Sequence, residues 1–249
     1  MAPSSAIGTA ILGNGLSTPM GGGGGFSPSD VAGLVGWYKA DGVLWQDSAR
    51  TTPAVSDADP VGAWDDASSV GAHLLQATAG LRPLLKLAIQ NGRNVIRFDG
   101  TDDKIAMAGG LLYSQPNHIF VVCQWSSVAA ATKVVDGVTN RNALYHQTTE
   151  HRMFAGSEYS SVVAPDTSWH QFSCLFSGAA SVFRRDQVAS AAGDASTAGM
   201  RDPIVGCDSG GAAQFFPGDA AEILIYNAAL SGANLSNVET YLKDRWGTP

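Results

Sequence analysis

Twenty-two acidic side chains are the richest source of chemistry in this sequence of 249 residues, and their spacing limits what they can do. A retaining glycosidase needs two carboxyl groups about 5–5.5 Å apart, one as nucleophile and one as proton donor. On one strand that demands alternate residues, because neighbours point to opposite faces. The glutamates are only Glu150, Glu158, Glu222 and Glu239, and none begins an E-x-D-x-x-E pattern. Asp65-Asp66 and Asp102-Asp103 are adjacent pairs, which a strand would splay apart. His73, His118, His146, His151 and His170 are scattered among strand-like segments, with no nucleophile pattern beside them and no G-x-S-x-G elbow. Cys123, Cys174 and Cys207 are too few for a disulfide framework and show no zinc spacing. These patterns predict a chain that is not an enzyme.

Non-covalent recognition has better raw material. Trp45, Tyr113 and Tyr159 fall in loop-like stretches, where an aromatic face beside hydrogen-bonding groups suits a glycan; packing against the rim of a core would explain each as well. A net charge of −7 opposes nucleic-acid binding, and the one adjacent basic pair, Arg184-Arg185, is followed at once by Asp186. No run of about 20 apolar residues is present to cross a membrane. The N-terminus lacks the basic and apolar regions of a signal peptide. Charged residues make up 15% of the chain, so Ser, Thr, Asn, Gln, Gly and Ala must coat its surface. That coat suits a rigid extracellular or particle-bound β protein.

The elements that would hold such residues are short. Apolar residues at 45% are enough for a real core. Strands are expected at 73–77, 94–98, 103–107, 118–125, 132–135, 142–147, 152–155, 169–177, 180–185, 203–206 and 219–226, divided by Gly, Asp and Asn turns. Residues 41–70 read as a long loop. Ile119, Val121, Cys123 and Trp125 alternate on one face, as Phe172, Cys174 and Phe176 do. In residues 219–226, Ile223 and Ile225 point one way and Leu224 and Tyr226 the other, as in an inner strand covered on both sides. Ser27 to Asp30 carries a helix-start signal. After Ser231, the residues Leu235, Val238, Tyr241, Leu242 and Trp246 recur at helical spacing until Gly247 stops the run.

Ahead of all this, five glycines at 21–25 divide residues 1–25 from residues 26–249. Such a run gains nothing by packing and acts as a hinge. The expected organisation is an extended anchoring arm, with Ile7, Ile11, Leu12 and Leu16 docking on a partner, and one displayed domain.

Several blocks, in order, carry a resemblance: GLVGWYKADG, WDDASSVGAHLLQA followed by Arg82-Pro83, NGRNVIRFDGTDDKI, HIFVVCQW, WHQFSCLFSGAASVFRRDQV and FFPGDAAEILIYNAALSGANLSNVETYLKDRWG. Together they resemble a concanavalin A-like, laminin-G-type jelly roll of the kind found in phage virion and bacterial surface proteins. The likeness spans about residues 33–247. It implies an all-β fold: a two-sheet antiparallel jelly-roll sandwich (concanavalin A-like) with one C-terminal amphipathic helix. It also implies a virion structural protein, a capsid decoration or a tail or baseplate appendage, anchored by its arm, facing outward as a homo-oligomer and touching host glycans weakly. The alternative is a secreted or cell-surface carbohydrate-binding module, or less favourably a glycoside hydrolase. No cofactor is expected beyond the calcium that such domains often hold on loops, for which Asp57, Asp59, Asp65 and Asp66 are dense enough, although turns use aspartate as freely. Two departures from the family pattern are Asn234, where a glutamate would complete a capping box, and Asp186-Gln187, where Asp-Gly would make the turn.

Overall fold

Alternation of apolar residues on the long central segments has the consequence expected of it: two antiparallel sheets packed face to face. The computed structural model describes residues 25–161 and 163–249. The expected arm, including Ile7, Ile11, Leu12 and Leu16, lies outside the described residues. One sheet has eight strands, ordered Val188–Ala189, Val182–Arg185, His170–Phe176, Asn117–Trp125, Pro217–Tyr226, Arg93–Asp99 and Leu84–Gln90, with Leu34–Lys39 also paired to Pro217–Tyr226. The second has nine, running from Glu158–Ser160 at one edge to Leu44–Trp45 at the other, and Leu112–Tyr113 and Met200–Arg201 form a separate two-stranded sheet. Every pairing in the two larger sheets is antiparallel.

Parity along the strands sorts side chains into two cores. Ile223, Ile225, Val121, Cys123, Trp125, Phe172 and Cys174 point between the sheets. Leu224, Tyr226, Phe120 and Val122 point outward from the eight-stranded sheet, where Val238, Leu242 and Trp246 of the helix Gly232–Trp246 cover them. The strand Pro217–Tyr226 is therefore buried on both faces, as its uninterrupted apolar run requires. All three cysteines are buried free thiols.

One buried charge fastens the helix. Glu222, fully enclosed on the outer face of the sheet, accepts from the indole Nε1 of Trp37 at 2.5 Å and of Trp246 at 2.7 Å. The Tyr241 hydroxyl donates to it at 3.0 Å, and Arg245 Nε lies 3.0 Å away as an ion pair. Burial pushes the Glu222 carboxyl above its ordinary value, against the pull of these donors. Arg245 also grips Asp41, and Gln90, Asn91 and Arg93 donate to the last carbonyls of the helix, so its C-terminal end is tied to the neighbouring hairpin. Gly247 ends the helix at φ 65°, a left-handed conformation that glycine adopts without strain. Ser231 sits at the N-cap but its side chain makes no capping bond, in keeping with Asn234 where a capping box would need an acid.

Turns follow the local chemistry. Ser27 and Asp30 form a reciprocal capping box around the short 3-10 turn Pro28–Asp30. Gly100 takes φ 75° at the reversal after Asp99. Asp186 and Gln187 both adopt positive φ, 52° and 68°, without a glycine. The Asp186 carboxylate offsets that strain by accepting from Gln171 N at 3.1 Å and pairing with His170 at 2.6 Å, so the turn is tied down.

The segment 41–70 contains the two-residue strands Leu44–Trp45 and Ala63–Trp64. Leu84–Gln90 is an edge strand with no clear mark in the sequence, because its apolar residues do not alternate. Leu84, Leu87 and Ile89 are exposed there, but the neighbouring loop blunts the edge. Ala58 N donates to Leu85 O, Leu85 N to Asp59 O, and Leu87 N to the Asp57 carboxylate.

Replacing Glu222 with Gln keeps its volume but leaves one face of the amide pointing N–H at N–H donors. We expect Glu222→Gln to lower the unfolding free energy by about 2–4 kcal/mol in urea denaturation, the cost of orphaning buried donors and a buried cation.

Candidate functional site

The central strand carries a register shift between Ala220 and Glu222. Without it, Asp219 and Glu222, three residues apart, would face opposite sides of the sheet. The bulge puts both on the outer face: Glu222 beneath the helix and Asp219 beyond the end of its cover. Asp219 stands opposite Arg97 on one neighbouring strand and Gln124 on the other. Val95, Phe120 and Val122 share the outward parity of Arg97 and Gln124, so the three polar side chains form a ladder across adjacent strands.

This ladder lines an open cleft of about 450 Å³, with Ser126 and Thr167 at its margin. Arg97 donates through Nε to Asp219 Oδ1 at 2.7 Å and through Nη2 to Oδ2 at 2.8 Å, a two-pronged pair of fixed geometry. The pair raises the Arg97 pKa further, so the guanidinium stays charged throughout the physiological range. The Arg97 side chain is 46% exposed and that of Asp219 only 6%, so the carboxylate is spent while the outer edge of the guanidinium is open. Gln124 donates to Thr167 O at 2.6 Å, which holds its amide in place. Among the described residues, Arg97 Nη1 and Gln124 Oε1 meet no protein partner. A donor and an acceptor thus stand ready on rigid strands, suited to a ligand bearing adjacent hydroxyls.

The aromatic residues proposed from sequence do not gather here. Trp45 lies on one edge strand of the nine-stranded sheet, half-buried, its Nε1 donating to Asp65 at 3.1 Å. Tyr159 lies on the opposite edge strand, its ring against Gly193 and its hydroxyl 2.6 Å from Ser190 Oγ. Tyr113 is buried at 6% exposure and presents no ring face. Arg97 and Gln124 each sit at the end of an apolar block with the parity of the outward Val95 and of Phe120 and Val122, whereas Asp219 has in sequence the parity of the inward Ile223 and Ile225 and is turned outward only by the bulge. For Arg97 and Gln124, that shared parity was the available signal.

The acids considered for calcium are occupied separately. Asp57 pairs with Lys86, Asp59 accepts from Val55 N and Ser56 N, Asp65 meets Trp45 and Arg50, and Asp66 accepts from Trp37 N and Ala72 N. Asp99, Asp102 and Asp103 do come together. One oxygen each of Asp99 and Asp103 closes the turn: Asp99 Oδ1 accepts from the amides of residues 101, 102 and 103, and Asp103 Oδ2 from Asp99 N. Burial, reinforced by its acidic neighbours, pushes Asp103 up to about 6.

The histidines divide by environment. His118 and His151 are buried and held neutral, their pKa values lowered to about 3 by burial. His151 lies inside the sandwich among Trp125, Phe172 and Phe183, with neither ring nitrogen hydrogen-bonded to the described residues. His170 is clamped instead between Asp186 at 2.6 Å and Asp166 at 2.9 Å.

No known family model matches the chain, and no curated protein does. Solved structures do share its sandwich. A Trypanosoma rangeli sialidase in complex with sialic acid is 10% identical with a TM-score of 0.57, covering 88% of this chain and 34% of that one. Domain 4 of AbnA, a GH43 extracellular arabinanase from Geobacillus stearothermophilus, in complex with arabinotriose, is 13% identical with a TM-score of 0.54, over 83% of this chain and 98% of that one. A GH54 α-L-arabinofuranosidase soaked with 4-nitrophenyl α-L-arabinofuranoside is 14% identical with a TM-score of 0.62, over 86% and 64%. The chain spans about a third of the sialidase's length. At these identities the likeness carries the fold, a β-sandwich also found in carbohydrate-active proteins. The expectation that the chain is not an enzyme is overturned by this company: all three are enzymes or parts of enzymes. None of them is a virion protein.

Burial lowers the pKa of His170, but its bonds to Asp186 and Asp166 outweigh this and leave it raised. Asp166 is buried enough to oppose ionisation, yet its bonds to Ser168 and His170 bring it down to about 2. A raised histidine stabilises the fold below its unfolded pKa, near 6.5, and loses that contribution as pH climbs through the folded value. A depressed aspartate stabilises above about 3.8 and loses its contribution as pH falls towards 2. The stability difference between the wild type and His170→Gln should therefore peak between about pH 4 and 6.5 and shrink towards pH 9, as read from urea midpoints across that range.

Proposed function

We propose that this chain is a glycan-recognising β-sandwich belonging to carbohydrate-active machinery, and that the Arg97–Asp219–Gln124 cleft is where it meets sugar. The ladder is the observation that carries this reading. Its carboxylate is buried and neutralised by the guanidinium, leaving a donor edge and an amide oxygen open to solvent at fixed spacing. Neutral sugars with vicinal hydroxyls match that pattern better than acidic ones, because Asp219 already occupies the face of Arg97 that a ligand carboxylate would take. The fold shared with carbohydrate-active proteins supports the reading. In it, residues 1–25 tether the domain to a larger assembly, and many weak contacts on one surface add up through multivalency. Display on a virion has no support in the structural likenesses and is not part of the proposal.

The test is direct titration of the purified chain by calorimetry with neutral arabino-oligosaccharides and with a sialylated oligosaccharide. The neutral series should bind, and Arg97→Ala and Gln124→Ala should each weaken binding by roughly 3- to 30-fold, one or two hydrogen bonds' worth, with far-UV circular dichroism unchanged. Binding that survives both substitutions at full strength would remove the cleft from the account. Release of reducing ends, followed in the same samples, decides whether recognition is accompanied by cleavage.

A further inference from the structure

A second concavity opens at the other end of the strand Asn117–Trp125. It measures about 540 Å³ and lies among the loops around Ser114, Asn140, Ser177 and Thr197. Its walls are fixed by amide side chains turned on the backbone. Gln115 donates to the carbonyls of Ser196 at 3.0 Å and Ala198 at 2.7 Å, and accepts from Gly178 N at 2.7 Å. Asn142 donates to Ala198 O at 2.8 Å and accepts from Asn117 at 2.8 Å. Three loops are thus tied together before any ligand arrives, which removes much of the ordering cost that loop sites otherwise bear.

The mouth has the opposite character. Among the described residues, the hydroxyls of Ser114, Ser177 and Thr197 and the side-chain amide of Asn140 have no protein hydrogen bond. None of the lining residues is charged, and Leu112 and Pro116 supply apolar wall. A carboxylate, phosphate or ammonium group would find no counter-charge there. A neutral polyol finds hydroxyl partners that can donate or accept, with an aliphatic surface for its C–H face.

We propose that this pocket is a second glycan site, selective for neutral sugar and independent of the cleft. It rests on the glycan-recognition reading above. The two sites stand at opposite ends of a nine-residue strand, roughly 27 Å apart at about 3.3–3.4 Å per residue. One copy of the chain can then hold two glycan chains, or two distant stretches of one, and gain avidity from doing so.

Titrating the full chain, labelled with 15N, with arabinotriose, xylotriose and cellotriose tests this by amide chemical shifts. Two separate groups should move: residues 114, 177 and 197 at the pocket, and residues 97, 124 and 219 at the cleft. Thr197→Trp, at an exposed position, fills the mouth and should weaken the pocket response at least about tenfold while leaving the cleft within about twofold; Arg97→Ala should do the reverse. Movement at the cleft alone, or pocket shifts unaltered by Thr197→Trp, would overturn the second site. Movement at the pocket alone would keep it and dismiss the cleft. Silence at both overturns this proposal and the reading beneath it.

Discussion

Three hydrogen-bond donors and the Arg245 guanidinium, converging on the Glu222 carboxylate, set the geometry of the helix-covered outer face of the eight-stranded sheet. A lone carboxylate in that position would be intolerable, since an ionised group without partners costs far more in an apolar setting than the fold could spare. With Trp37, Trp246, Tyr241 and Arg245 around it, the same charge becomes a fixed point that specifies where the helix lies. The helix covers Phe120, Val122, Leu224 and Tyr226 on this face. The bulge on the strand Pro217–Tyr226 then turns Asp219 to the same face, just past the cover. A buried clamp and an open polar ladder are thus consecutive features of one strand, and rigidity made by the first is inherited by the second.

Whether polar groups are spent or unspent separates structural networks from candidate recognition surfaces across the molecule. The outer face of the nine-stranded sheet carries a charged network, with Arg152 between Glu150 and Glu158 and Tyr145 donating to Glu158 at 2.7 Å. Those groups satisfy one another, and a ligand would have to break existing bonds to gain new ones. One oxygen each of Asp99 and Asp103 is taken up by their own turn. In the cleft, by contrast, Arg97 and Gln124 are each fixed on one side by the protein and open on another, and in the loop pocket the bonded amides of Gln115 and Asn142 hold walls whose mouth carries hydroxyls unbonded among the described residues. That arrangement is what a preformed site requires.

Much of the fold was legible in the sequence, and for identifiable reasons. Alternation in Asn117–Trp125 and His170–Phe176 marked the inner core, and the two-sided apolar run in Pro217–Tyr226 marked the central strand. Val238, Leu242 and Trp246 marked the helix. Leu84–Gln90 was missed because an irregular edge strand with Ala88 at φ 54° lacks a period of two. The site was harder to see. A β-bulge adds one residue without any compositional mark, so parity counted along 219–226 breaks at Ala221, and Asp219 could not be placed on the same face as Glu222. Aromatic residues in loop-like segments drew attention instead, yet Tyr113 is buried and Trp45 and Tyr159 sit on opposite edges of one sheet. The histidines read as ordinary polar residues, whereas three of the five are fully enclosed.

Hydrogen exchange on the intact chain, with and without a saturating neutral oligosaccharide, examines the link between clamp and cleft most directly. The account predicts that amides beneath the helix exchange slowly in both states, and that sugar adds protection around residues 97, 124–126 and 217–219. Protection gained only on the outer face of the nine-stranded sheet, at residues 143–160, would contradict it, as would a helix that exchanges freely while the cleft still binds.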